Sequence, residues 1–172
     1  MNFYLQRLQD DIAAAIAGLT DEQFAWHPDG KWSSAEILEH LYLTYTGTIK
    51  GFERCLAAGK PLARPCTIKD HLQTTVVVRC GYMPGGRKAP PQATPRGTPC
   101  AKLRSEVLPR IAEMDSLIER AVRAYGVHAR LLDHPIIGPL RGPEWCKFHW
   151  VHGHHHVQQI VHLRQSFAPS RA

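Results

Sequence analysis

Apolar residues recur along most of the chain at spacings of three and four, the pattern that places them on one face of an α-helix. In residues 3–19 this pattern predicts one amphipathic helix, whose apolar stripe is Leu5, Leu8, Ile12, Ile16 and Leu19. The segment from Thr20 to Gln23 then has the Thr-x-x-Gln form of a capping box. It predicts a short helical turn after the first helix.

Three further helices follow from the same periodicity and from start and stop signals. Ser33 and Glu36 form a second capping box, which predicts a helix over residues 33–58 that Gly59-Lys60-Pro61 ends. A third helix is predicted over residues 98–125, in which Pro109 should cause a kink or mark a later start. A fourth is predicted over residues 142–167. Four amphipathic helices with almost no strand signal predict an all-α fold, an antiparallel four-helix bundle.

A long basic insertion separates the second and third predicted helices. Residues 60–100 contain seven basic residues against one acidic residue, so this segment holds all of the formal net charge of +6. It also contains seven of the thirteen prolines, which is typical of a long loop with local structure. The β-branched run from Thr74 to Val78 leaves helix, strand and coil open there. We therefore predict one domain over residues 1–172, with 60–100 as an insertion.

The charge of the insertion has two interpretations, a solvated surface or a lid that attracts an anionic small-molecule substrate. Nucleic acid is disfavoured, because Tyr82 is the only aromatic residue among the basic ones. As a lid, the insertion should pack over one end of the bundle near the candidate metal site, with Arg79, Arg87 or Lys88 supplying positive charge. Its apolar residues should be buried against the helices: Leu62, Leu72, Val76, Val77, Val78, Tyr82 and Met83.

Composition and cysteine spacing limit the setting in which the protein works. Apolar residues make up 44% and charged residues 21% of the 172-residue chain, which indicates a globular protein. The sequence lacks an apolar run of membrane-spanning length and an N-terminal signal core. The five cysteines form no CxxC pair and are predicted to be reduced thiols. These features predict a soluble cytoplasmic protein, with its state as monomer or homodimer left open.

Histidine is over-represented, with eleven residues concentrated in the C-terminal part. His152 and His156 are four residues apart on the fourth predicted helix, so both imidazoles project from one face and can bind one divalent ion. His149 and Gln159 lie on the same face, whereas His154 and His155 point around the helix. A zincin peptidase is excluded, because Gly153 stands where that class carries its glutamate base. A solvated polyhistidine face is the alternative.

His40, on the second predicted helix, is the best candidate for a third ligand. The face below it continues through the small residues Thr44, Gly47 and Gly51. Small residues beneath a histidine suit a cavity at the helix surface, although glycines also permit close helix contact. The alternative for His40 is a core histidine whose nitrogens are satisfied by hydrogen bonds.

Two segments resemble the DinB/YfiT-like superfamily of metalloenzymes, in particular its uncharacterised bacterial branch with a proline-rich mid-chain loop. Residues 32–41, Trp-Ser-Ser-Ala-Glu-Ile-Leu-Glu-His-Leu, resemble the second-helix motif of that superfamily. Residues 134–140, Glu144-Trp145 and the His152-x-x-His155-His156-x-x-Gln159 pattern resemble its fourth-helix signature. The motifs occur in the family order and cover nearly the whole chain.

The resemblance implies a four-helix bundle with three histidines that bind a divalent metal, usually zinc or nickel. Carried over by motif, the ligands are His40, His152 and His156. Some members of the superfamily are thiol S-transferases that use bacillithiol, mycothiol or glutathione. This sequence departs from the pattern at Gly153 and His154, and both departures could widen the site or add a ligand.

Three histidines leave a fourth position open on a tetrahedral ion, as in catalytic sites. That position can bind water or a thiol, so a hydrolase and a thiol transferase both remain open, and the resemblance favours the transferase. The insertion suits a carboxylated low-molecular-weight thiol. Glu39 is a poor candidate for a general base, because adjacent helix positions diverge. In the third alternative, a non-catalytic metal-binding or interaction protein, His149 or Gln159 would close the ion's coordination.

Overall fold

In the computed structural model, which describes residues 1–83 and 88–167, the protein is mostly helical. Its α-helices are α1 (Phe3–Ile16), α2 (Asp21–Ala25), α3 (Ser34–Ala57), α4 (Ile68–Thr74), α5 (Cys100–Tyr125) and α6 (Gly142–Ser166). A π-helical turn, Thr75–Arg79, continues α4, and a 3-10 turn, Pro91–Ala93, precedes α5. The predicted all-α class is confirmed in this broad sense. The antiparallel four-helix bundle stays a prediction.

The start signals in the sequence work as predicted. The Thr20 and Ser33 hydroxyls accept from the backbone N–H groups of Gln23 and Glu36. In return, the side chains of Gln23 and Glu36 accept from the backbone N–H groups of Thr20 and Ser33, so each capping box is complete. The helix α5 runs unbroken through Pro109, so the later start considered for it is wrong. The first helix ends at Ile16, before Gly18 at φ +69°, rather than at Leu19.

The predicted apolar stripes form one core. α3 packs along α5, and α1 packs along α6. The stripe predicted for residues 3–19 is buried throughout, and Leu56 of α3 and Tyr125 of α5 are partly buried and pack against the core. Within the described residues, no helix has both the length and the apolar character that crossing a bilayer requires. All five cysteines are free thiols.

A β-hairpin that the sequence did not predict precedes α6. Its strands are β1 (Arg130–His134) and β2 (Gly138–Arg141), paired antiparallel. Gly138 has φ +80°, and a Cβ there would lie 2.3 Å from Asp70 Oδ1, so the position requires glycine. Asp70 in turn pairs with Arg64 through two hydrogen bonds of 2.7 and 2.8 Å. The hairpin thus supports the start of the insertion.

The insertion contacts the helical core and the hairpin at several points along its length. Leu62 N–H donates to Leu131 O at 3.0 Å, and the Thr74 hydroxyl donates to Ile137 O at 3.4 Å. Of the seven apolar residues predicted to be buried, Val77 and Val78 are buried and Met83 is partly buried. The prediction is wrong for the other four, which are exposed: Leu62, Leu72, Val76 and Tyr82.

Gly153 lies in the middle of α6 because α1 approaches it closely. A Cβ at this position would lie 2.2 Å from Leu8 Cδ1 and 3.1 Å from the Tyr45 hydroxyl. The expectation that Gly153 widens the metal site is wrong, since the space next to it is filled by Leu8. Glycine here permits close helix packing.

Gly153→Ala is expected to destabilise the protein by about 1–3 kcal/mol, the usual cost of overpacking a filled core. Helix propensity alone predicts the opposite sign, a gain of about 0.8–1.0 kcal/mol. Gly47→Ala is the matched control, because Gly47 is also inside a long helix but a Cβ there meets no atom within 4 Å. Urea unfolding of both variants decides the matter. A stabilised Gly153→Ala variant would contradict the packing argument.

Candidate metal centre

Three histidines from two helices meet at one point. His40 Nε2 and His156 Nε2 each lie 3.2 Å from His152 Nε2, and one ring nitrogen from each residue lies within 4.8 Å of the others. Two ligands of a tetrahedral ion, each about 2.0–2.1 Å from it, stand about 3.4 Å apart. The structure therefore brings together the three histidines singled out in the sequence, in a set that could hold a metal ion.

The helices α3 and α6 position these residues by running in opposite directions. His40 meets His152 and His156, the Thr48 hydroxyl lies 3.1 Å from His149 Nε2, and Phe52 contacts Trp145. The spacing of four between His152 and His156 places both rings on the face of α6 that meets α3.

Hydrogen bonds at the far side of two rings determine which nitrogen is free. His40 Nδ1 lies 2.8 Å from Ala93 O, and since a carbonyl only accepts, Nδ1 carries the proton. His156 Nδ1 likewise donates to Gln159 Oε1 at 2.8 Å, and the amide nitrogen of Gln159 faces His155 Nε2 at 3.3 Å. Both Nε2 atoms therefore present lone pairs toward His152.

A cation satisfies this arrangement better than a proton does. His152 Nε2–H can donate to only one of the two facing lone pairs, which leaves the other without a donor. A divalent ion accepts all three lone pairs at once. Carbonyl and amide oxygens behind ligating imidazoles are the usual outer partners of such sites. The donor set and its outer hydrogen bonds therefore fit a divalent metal.

Burial keeps the three imidazoles neutral and ready to bind. His40 is 5% exposed and His156 9% exposed. Desolvation lowers the pKa of His40, although its bond to Ala93 opposes this, and it lowers the pKa of His156 to about 3. The pKa of His152 is lowered well below its usual value, first by burial and then by the neighbouring imidazoles. Metal binding requires neutral imidazole, so protons compete weakly at neutral pH.

The other residues considered as ligands are engaged elsewhere. His149 Nε2 faces Thr48, and His154 Nδ1 lies 3.2 Å from Asp11 Oδ2 on α1. His155 and Gln159 contact each other, and Gln159 also supports His156. Across residues 1–83 and 88–167, no fourth histidine, cysteine or carboxylate joins the cluster. The set does not have the closed coordination of a structural ion.

Glu39 holds the insertion rather than serving the cluster as a base. Its carboxylate accepts from Gly97 N–H at 3.0 Å and from the Thr98 hydroxyl at 2.6 Å. With Ala93 bound to His40, two adjacent residues of α3 hold the segment before α5. The insertion therefore lies beside the cluster, at the predicted end. Nothing in the sequence pattern marks Ala93 or Glu39 for this role.

A cavity of about 1550 Å³ opens beside the three histidines. Its walls come from α3, α6, the hairpin, the insertion and the loop before α3. Gly47 faces open space in it, and a Cβ on Gly51 would come within 3.0 Å of Leu132. The cavity considered for the small residues below His40 thus occurs, whereas the close contact at Gly51 is with strand β1 and not with a helix. Of the predicted basic residues, Lys88 lines the cavity, Arg79 does not, and Arg87 lies outside the described residues.

Gln159→Ala is expected to weaken zinc binding by about 10–100-fold, the usual effect of losing an outer hydrogen bond to a ligating histidine. The side chain is exposed, so the fold should not change. Gln158→Ala is the matched control, because Gln158 is also exposed and faces His154 instead. Competition titration against a chromophoric zinc chelator measures both affinities. Equal affinities in the two variants would contradict the role given to Gln159.

One family model matches nearly the whole chain. It covers residues 5–163 and is described as a protein of unknown function, DUF1569. No curated protein and no solved structure matches the chain.

Proposed function

We propose that this chain, which belongs to the DUF1569 family of proteins of unknown function, is a metal-dependent thiol S-transferase. His40, His152 and His156 would hold one divalent ion, zinc or nickel. We also propose that the chain is a member of the DinB/YfiT-like superfamily and has the antiparallel four-helix bundle of that superfamily. The observation that carries it is the convergence of three imidazole Nε2 atoms at the wall of a large cavity.

A divalent ion with an open position deprotonates a bound thiol, or lowers the pKa of bound water to about 7. The surroundings favour the thiol. Hydrolysis usually relies on a positioned general base, and the nearest sequence candidate, Glu39, is occupied by Gly97 and Thr98. A thiolate needs no such base, because it is itself the nucleophile.

The proposed reaction is a group transfer onto sulfur. The thiolate sulfur forms a bond to an electrophilic carbon, and the bond from that carbon to its leaving group breaks. The leaving group departs with the electron pair, and the thiol proton passes to solvent. The chain's own residues orient the reactants and limit the access of water. Lys31 and Lys88, which line the cavity, would attract the carboxylates of the thiol.

The test uses untagged protein purified without a nickel column. Elemental analysis should find about one zinc or nickel ion per chain. The cobalt-loaded protein should show a thiolate-to-metal charge-transfer band when glutathione, bacillithiol or mycothiol is added. Transfer of the thiol to monobromobimane should then exceed that of the metal-free protein. Ester hydrolysis without any thiol response would instead favour the hydrolase, and metal without either activity would favour the non-catalytic protein.

A further inference from the structure

We infer that the cavity has two halves on either side of the three histidines, one for the thiol and one for a separate apolar electrophile. The inference rests on the proposed function, since it names the second substrate of the same site. The first observation is the size of the cavity. A volume of about 1550 Å³ exceeds the roughly 300–1,000 Å³ of a pocket for one small molecule.

The cavity is also elongated. Its wall on α3 runs from Ile37 to Arg54, which at about 1.5 Å per residue corresponds to about 26 Å. Because α6 runs antiparallel to α3, His162 lies beyond the histidine cluster at one end, and Trp145 lies near the other end. The cluster itself is nearer the first end.

The first half contains both lysine side chains that line the cavity. Lys31 and Lys88 line it, and neither makes an ion pair within the described part of the chain. The polar side chains of Gln92, Gln159 and His162 also line it, together with Asp29 and the apolar side chains of Trp32 and Ile37. Because Ala93 binds His40, this end of the insertion is fixed beside the cluster. Two free ammonium groups and several hydrogen-bonding side chains suit the carboxylates and amides of a peptide-like thiol.

The second half presents a group of exposed apolar side chains, although Arg54 and Asp133 also line it. It lies between the α4 part of the insertion and the hairpin, where Leu72, Val76 and Ile136 line the cavity. All three are exposed large apolar side chains, and Leu72 is 66% exposed. The rings of Trp145 and Phe148 form the floor from α6. Exposed apolar side chains gathered around one cavity indicate a ligand that covers them.

The two halves therefore assign the substrates. The thiol binds through its charged body in the first half, with its sulfur at the cluster. The electrophile is an apolar, aromatic or branched molecule that carries a leaving group on carbon. It binds over Phe148, on the other side of the same cluster. This arrangement places the two reacting atoms side by side without competition for one pocket.

The experiment measures the two ligands separately on the zinc-loaded protein. The probes are glutathione, followed by calorimetry, and the neutral dye N-phenyl-1-naphthylamine, followed by fluorescence. Leu72→Gln and Val76→Gln should each weaken dye binding by about 10-fold or more and leave glutathione binding unchanged. Lys31→Gln and Lys88→Gln should do the reverse. Saturating glutathione should not displace the dye.

Matched controls come from the same segment. Ile68→Gln removes an apolar side chain from the same helix as Leu72, but Ile68 is 89% exposed and does not line the cavity. Lys69→Gln likewise removes a basic residue that does not line it. Both controls should bind the two probes as the parent protein does.

Two results would overturn the inference: displacement of the dye by glutathione, or dye binding that Leu72→Gln and Val76→Gln leave unchanged. The first would mean one shared pocket, and the second a dye site elsewhere. Failure of the proposed function looks different. In that case glutathione does not bind and no transfer occurs, while the dye still binds and still depends on Leu72 and Val76.

Discussion

Replacing His152 with alanine is expected to abolish stoichiometric metal binding. His152 Nε2 is the central atom of the cluster, 3.2 Å from the Nε2 atoms of both His40 and His156. Losing an outer hydrogen bond to a ligand costs about 10–100-fold in affinity, so losing a ligand should cost more than about 100-fold. Elemental analysis after dialysis should fall from about one ion per chain to nearly none.

The same variant should lose the part of its stability that depends on metal. A ligand that binds only the native state raises the free energy of unfolding by about 2.7 kcal/mol at a free concentration of 100 Kd. Zinc should therefore raise the melting temperature of the parent protein and leave that of His152→Ala unchanged. His154→Ala is the control, because His154 faces Asp11 on α1. A His152→Ala variant that still holds one ion per chain would refute the proposed centre.

Acid should destabilise the metal-free protein at a pH well above the range in which carboxylates titrate. Burial lowers the pKa of His149 to about 3 and that of His134 to about 4, below the value of about 6.5 in the unfolded chain. Between these values the unfolded chain binds protons that the folded chain does not. The stability that the two neutral rings contribute is therefore fully present above pH 6.5 and is lost as the pH falls below that value.

The hydrogen-bonding surroundings of His134 and His149 also favour the neutral form of both rings. His134 Nδ1 accepts from the backbone N–H groups of Ile136 and Ile137 at 3.2 and 3.3 Å, which a protonated ring cannot do. His149 is fully buried, and within the described residues its Nδ1 has no hydrogen-bond partner. A proton on that nitrogen would add an unpaired buried charge.

We expect these two residues alone to lower the free energy of unfolding by roughly 2–4 kcal/mol between pH 7 and pH 5. Urea unfolding of the EDTA-treated protein across this range gives the slope with pH. His149→Leu removes one of the groups, so the slope should decrease by about one proton even if the variant is less stable overall. A stability that does not change from pH 7 to pH 5 would show that the buried histidines are not held neutral.

The sequence by itself determined the four long helices and the candidate ligands. The stripe in α1 and the capping boxes at Thr20 and Ser33 depend on residues three and four apart, which meet within a single helix. The pairing of His152 with His156 has the same origin. His40 could be selected as the partner because small residues follow it on one face of α3.

The tertiary structure alone decided what surrounds these residues. Three of these contacts join residues more than fifty positions apart. They are the hydrogen bond of Ala93 with His40, the hydrogen bond of Glu39 with Thr98 and the packing of Leu8 against Gly153. Each depends on how whole helices and the insertion pack together, and no local periodicity encodes that. The hairpin was missed for a related reason. Its strands are four and five residues long, and Gly138 is needed there because Asp70 packs against it.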